Sequence, residues 1–122
     1  MNTSSDPPPN TTLLVVLSSD SAEAARLALR YAATAAAMDV PVEMHVVSAG
    51  AVRWLAHGAA SAALLTQIRQ ARDLGMGLFA CPAALAEQGL STEQLIPEVE
   101  GVRGAASLVS AAMAPNARIL SF

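Results

Sequence analysis

The 122-residue sequence contains no lysine, a single cysteine, and aromatic residues at only 3% of positions. Without lysine there is no Schiff-base chemistry, no lysine general base and no P-loop lysine for a nucleotide phosphate. One cysteine excludes an internal disulfide, a Cys-x-x-Cys redox pair and a cysteine-built zinc site. Charged residues are scarce too, at 14%, and they sum to a net charge of -3. No basic cluster interrupts this balance, so the chain has no electrostatic footprint for nucleic acid. No run of large apolar residues reaches the length of a membrane span. Neither Lys nor Arg precedes the short apolar run Leu13 to Leu17, so no secretory signal is read and a cytoplasmic location is expected.

What is present is aliphatic and small. Hydrophobic residues make up 53% of the chain and 27 positions are alanine. A chain of this length forms one domain and can bury roughly two-thirds of its unfolded surface. Residues 1–11, with the run Pro7-Pro8-Pro9, predict an extended, disordered tail. Residues 12–122 predict a single domain. Leu13 to Leu17 is a continuous apolar run, as in a strand covered on both faces. The cluster Ser18-Ser19-Asp20-Ser21 supplies helix N-caps, and Asp20 with Glu23 has capping-box spacing. The helix that follows is expected to reach Met38, with Leu27, Tyr31 and Met38 clustered beside a broad alanine face.

Val42 to Val47 predicts a second strand and Ala51 to Ala56 a short helix. His57 to Ser61 has little side chain to anchor it. Leu64, Leu65, Ile68, Ala71 and Leu74 mark a further helix closed by Gly75. Gly77 to Ala80 is a third strand, Pro82 to Gln88 a short helix and Ser91 the start of one more turn. A fourth strand is expected over Val99 to Val102, a helix over Gly104 to Met113, and a last strand over Ala117 to Leu120. Strands alternating with helices at this spacing imply a parallel sheet with helices on both faces. Ligand sites in such sheets lie at the carboxyl ends of the strands.

Cys81 follows the third strand directly and precedes Pro82, a residue favoured at the first helical position. It is therefore expected at an N-cap, where free backbone N–H groups and the helix dipole favour a thiolate. Position alone leaves open a buried, inert thiol; the cap geometry favours the reactive one. His45 alternates with Met44 and Val46, as a packed strand histidine does, and His57 is expected to face solvent. No helix aligns the two, so no metal site is predicted. Gly101-Val102-Arg103-Gly104 reads as a turn, although Arg103 beside a helix start is also compatible with an anion. Trp54, next to Arg53, is read as a packing or subunit-contact anchor.

The strand-end segment Gly77-Leu78-Phe79-Ala80-Cys81-Pro82-Ala83-Ala84-Leu85 is followed by Gln88-Gly89-Leu90 and Leu95-Ile96-Pro97-Glu98-Val99. In this order the residues resemble the DsrE/DsrF-like family, which includes the TusD-type sulfur-relay proteins. The resemblance implies a three-layer α/β/α sandwich with a five-stranded parallel sheet, assembled as a homo-oligomer, trimer or hexamer. It also implies that Cys81 is catalytic, accepting sulfane sulfur as a persulfide and exchanging it with a TusA-like sulfur-carrier protein. No cofactor and no metal are implied. Two alternatives remain open: a non-catalytic oligomeric binding module of the same fold, and a single-cysteine redox sensor.

Overall fold

The computed structural model describes residues 10–122, so Met1 to Pro9, most of the expected tail, lie outside the described residues. Thr11 is already buried. Five parallel strands form one sheet: β1 (Thr12–Leu17), β2 (Val42–Val46), β3 (Gly77–Ala80), β4 (Gly101–Val102) and β5 (Ala117–Ser121). Their order across the sheet is β4-β3-β2-β1-β5. The helices are α1 (Ala22–Ala37), α2 (Ala49–Val52), α3 (Ala62–Asp73), α4 (Pro82–Gln88) and α5 (Ala105–Ala112). Short 3-10 turns occupy Arg53–Leu55 and Thr92–Gln94.

Register fixes which side chains share a face. Leu13, Val15 and Leu17 pair with Val42, Met44 and Val46, and Met44 and Val46 pair with Leu78 and Ala80. Because side chains alternate along a strand, these residues lie together on one face, where they join the main core with α1, α3, and parts of α2 and α4. The opposite face carries Leu14, Val16, Glu43, His45 and Phe79, in register with one another. The first three connections step along the sheet in one direction, from β1 to β4. The last returns from the β4 edge to the β5 edge, so right-handed crossovers put its helix, α5, on this second face.

Serines start three of the helices. Ser21 accepts from the Ala24 N–H at 3.0 Å, Ser48 from Ala51 at 3.0 Å and Ser61 from Leu64 at 3.2 Å. The expected Asp20–Glu23 capping box does not form, because Ser21 is the cap of α1. The Asp20 carbonyl instead accepts from Trp54 Nε1 at 3.0 Å, with the Arg53 guanidinium 4.7 Å from the indole centroid. Trp54 therefore anchors the turn after α2 to the turn before α1. The turn at His57 is also held, its N–H donating to the Gln94 carbonyl at 2.9 Å.

The inward face of α1 is alanine, not the larger residues. Ala25, Ala28, Ala32, Ala35 and Ala36 are buried with Leu29, whereas Tyr31 and Met38 are exposed. Methyl-sized side chains let the helix axis approach both the sheet and α3. Larger residues in that stripe would hold the layers apart, so they are displaced to the rim. Tyr31 there stacks on Phe122 with ring centroids 5.7 Å apart.

The close approach can be tested at Ala28, which is fully buried. Ala28→Leu should lower unfolding free energy by about 1–3 kcal/mol through overpacking, read as a reduced urea midpoint. An unchanged midpoint would mean that the layer has room to spare.

Candidate functional site

Cys81 closes β3 and opens α4. Its backbone is extended (φ -76°, ψ 123°), it is the N-cap residue, and Pro82 occupies the first helical position. The Cys81 N–H donates to the Val46 carbonyl at 3.0 Å, and its own carbonyl accepts from Leu85 at 3.0 Å. The backbone is thus fixed on both sides. The thiol makes no capping bond and is partly exposed.

The connections from β3 and β4 leave the sheet towards opposite faces. Ala84 and Leu85 of α4 join the core shared with α1 and α3, while α5 covers the other side. Adjacent strands whose connections diverge leave a crevice at their carboxyl ends. Here that crevice is a cleft of about 190 Å³ lined by Val47, Cys81, Arg103, Gly104, Ala105, Leu108 and Val109. Arg103 is the one charged residue in this lining, and its N–H donates to the Ala80 carbonyl at 3.0 Å.

The Arg103 side chain folds back across the sheet. Its guanidinium lies 3.7 Å from the centroid of the Phe79 ring, and Nη1 donates to Glu43 Oε1 at 3.1 Å. The same carboxylate oxygen lies 3.0 Å from His45 Nε2. His45 is 2% exposed and packs at a tilt on Phe79, with ring centroids 5.5 Å apart. Gly77 makes room for this arrangement, since a Cβ there would meet Phe79 Cε2 at 2.9 Å. Glu43, His45, Phe79 and Arg103 are therefore one contiguous cluster beneath the cleft.

The sequence places His45 correctly as a packed strand histidine and His57 as a surface residue. Among the described residues no group of His, Cys, Asp and Glu is arranged to hold a metal ion. Sequence reasoning passed over Glu43 and Phe79, and it read Arg103 as part of a turn or as a neighbour of an anion, not as their partner. One signal was available: Glu43 and His45 are two apart within a strand, so both must share a face, and a buried histidine beside a carboxylate implies a polar partner set.

Fold and site define a doubly covered parallel α/β domain with a solitary thiol at the end of its third strand. This chain belongs to the DsrE/DsrF-like family, which matches residues 11–122. Solved structures with the same fold include the ychN protein from E. coli, at 16% identity and a TM-score of 0.75, covering 92% of this chain and 98% of that one. A protein of unknown function from Methanobacterium thermoautotrophicum, MTH1491, matches at 14% identity and a TM-score of 0.71, with 92% and 99% coverage. The Bacteroides thetaiotaomicron protein BT1422, also of unknown function, matches at 14% identity and a TM-score of 0.59, with 93% and 96% coverage. No curated protein matches the chain.

Truncating Glu43 leaves buried His45 without its acceptor and Arg103 without its anchor. Glu43→Ala should therefore destabilise the fold by about 1–3 kcal/mol, the range for stranding a buried polar group. Urea unfolding measures this, and a variant as stable as the parent would show that the cluster is held by packing alone.

Proposed function

We propose that the protein is a sulfurtransferase or sulfur carrier in which Cys81 is the reacting residue. It accepts sulfane sulfur as a persulfide and passes it to a partner of the TusA-like carrier type. The observation that carries this reading is the coincidence of family membership over residues 11–122 with a partly exposed thiol lining a strand-end cleft. The chemistry asks little else of the protein. A thiolate attacks the outer sulfur of a persulfide donor, forming the new S–S bond as the donor thiolate leaves. No general acid, metal or second cysteine enters that exchange.

The domain is taken as residues 12–122 acting in the cytoplasm. No helix among the described residues is long and apolar enough to cross a membrane. The proposed assembly is a homo-oligomer, trimer or hexamer. Its support is α5, which has no buried residue, together with exposed Val109, Met113 and Ile119. Apolar surface of this kind is a common subunit contact.

Incubation with a persulfide donor followed by intact-mass measurement tests the transfer. The expected product is heavier by one sulfur, loses it to reductant, and is absent from Cys81→Ser. No gain of sulfur, or a gain that survives the substitution, would sink the reading in favour of a non-catalytic module. Rapid oxidation of Cys81 by peroxide, without sulfur uptake from any donor, would instead favour a redox sensor.

For the assembly, light scattering should return a mass of three or six chains. Met113→Glu should lower that mass, whereas a monomeric parent would remove oligomerisation from the proposal.

A further inference from the structure

We propose that the outer edge of β5 pairs with β5 of a second copy, antiparallel across a two-fold axis, so that the sheet continues from one subunit into the next. The inference builds on the homo-oligomer proposed above, names one of its contacts and selects the hexamer over the trimer. A closed ring of three chains has no two-fold axis, whereas six chains in dihedral symmetry have one at each paired edge.

The two edges of the sheet differ. At one, β4 is only Gly101–Val102, too short to template another strand. At the other, β5 runs from Ala117 to Ser121 in unbroken register with β1 and has no neighbour on its outer side. Proline, bulges and clustered charge, the usual guards of an exposed edge, are missing from it. Its one charged residue is Arg118, whose Nη1 donates to the adjacent Ala117 carbonyl at 3.0 Å. Burial also stops abruptly here. Leu14 and Val15 of β1 are 1% and 0% exposed, yet Ile119 and Leu120, in register with them on opposite faces, are 50% and 41% exposed. Strands of a parallel sheet are normally covered on both faces.

The ladder to β1 determines which backbone groups of β5 are free. The Phe122 N–H donates to the Val16 carbonyl at 2.8 Å, and its carbonyl accepts from the Ser18 N–H at 2.9 Å. At the other end the Asn116 carbonyl accepts from the Thr12 N–H at 2.9 Å. Asn116, Arg118, Leu120 and Phe122 therefore turn their backbone groups towards β1, and Ala117, Ile119 and Ser121 turn theirs outward. The Ala117 N–H is taken by the Ala114 carbonyl at 3.1 Å. Both backbone groups of Ile119 and of Ser121 are left without a partner among the described residues.

A two-fold axis at Ile119 satisfies these groups together. Ile119 and the partner's Ile119 exchange reciprocal N–H···O=C bonds. The Ser121 N–H meets the partner's Ala117 carbonyl, displacing the exposed Arg118 side chain. Ile119 then packs against its own copy on the face that carries α5. On the opposite face Arg118 stands across from the partner's Leu120, so the two guanidinium groups are offset. Like charges directly opposed would destabilise the pair. A second copy of β5 is thus the occupant whose free groups, apolar side chains and charge all match this edge.

Light scattering on the full chain tests the pairing through Ile119. Ile119→Pro removes only an outward N–H, a change that edge strands tolerate, and Ile119→Lys sets like charges opposite each other. The parent should have the mass of six chains, Ile119→Val the same mass, and the other two variants half of it. Cross-linking in a Cys81→Ser background tests the register without disturbing the edge. Ile119→Cys should oxidise to a disulfide-linked dimer, because a hydrogen-bonded antiparallel pair has its Cα atoms about 5.5 Å apart, within disulfide reach. Arg118→Cys should not, since its two copies are offset along the strands, beyond the ~7 Å limit.

A parent mass of three overturns the pairing and leaves the trimer; a mass of one overturns both. Failure of Ile119→Cys to cross-link, or a mass unmoved by both Ile119→Pro and Ile119→Lys, also overturns the pairing. A mass of two that falls to one supports it and removes the three-fold part of the assembly. Sulfur uptake by Cys81 is measured separately, so the pairing and the transfer reading fail independently.

Discussion

The handedness of crossover connections is the constraint on which the rest of this molecule depends. A strand that twists to the right returns to a parallel neighbour by a right-handed path. Three successive steps from β1 to β4 in one direction therefore put their helices on one face of the sheet. The single reversal, from β4 across to β5, puts α5 on the other. The same reversal separates the connections leaving β3 and β4, and the gap between them is the cleft that holds Cys81 and Arg103. The position of the thiol is thus a consequence of topology. Any sequence with these five strands in this order opens a crevice at that point, and this one has placed its only cysteine there.

The cluster beneath the cleft is better understood as orientation than as stabilisation. A fully buried ion pair can cost more in desolvation than it returns. Glu43 and Arg103 retain 29% and 39% of their side-chain exposure, which softens both the cost and the gain. Exposed pairs of this sort contribute on the order of 0–1 kcal/mol. The geometric effect is larger. Phe79 supplies a flat surface for the guanidinium, Gly77 leaves room for the ring, and Glu43 is itself held by buried His45. Each member limits the freedom of the next, and together they hold the Arg103 guanidinium over the Phe79 ring.

Much of this fold was legible in the sequence because its signals are local. The apolar runs of β1 and β2, the Gly-Leu-Phe-Ala strand before Cys81, and the Pro82 helix start all appear where side-chain patterning puts them. Gly75, at φ 110°, follows α3 as a left-handed residue should. The misreadings are non-local. The Asp20–Glu23 spacing suggested a capping box, but Trp54, far along the chain, takes the Asp20 carbonyl and Ser21 becomes the cap. The broad alanine face expected for α1 is the one the helix buries, with Leu29 the one larger residue in it. Arg103 could not be connected to Glu43, sixty positions earlier, because that pairing exists only once β4 lies beside β3 and β3 beside β2 in the sheet.

The alanine content takes a different meaning on each face. Against α1 it is the condition for close packing, and the residues concerned are buried. On α5 the same small, apolar composition buries no residue at all, and Val109 and Met113 remain in solvent. A helix that gains so little from its own sheet derives little stability from intrachain burial, since burial of an apolar face is what normally holds a surface helix in place. The positive mean hydropathy of +0.43 is therefore not fully used within one chain. Association through α5 would use it, and it would also cover one wall of the cleft, because Leu108 and Val109 belong to both surfaces. In the proposed assembly, contact between copies and access to Cys81 are controlled by the same helix.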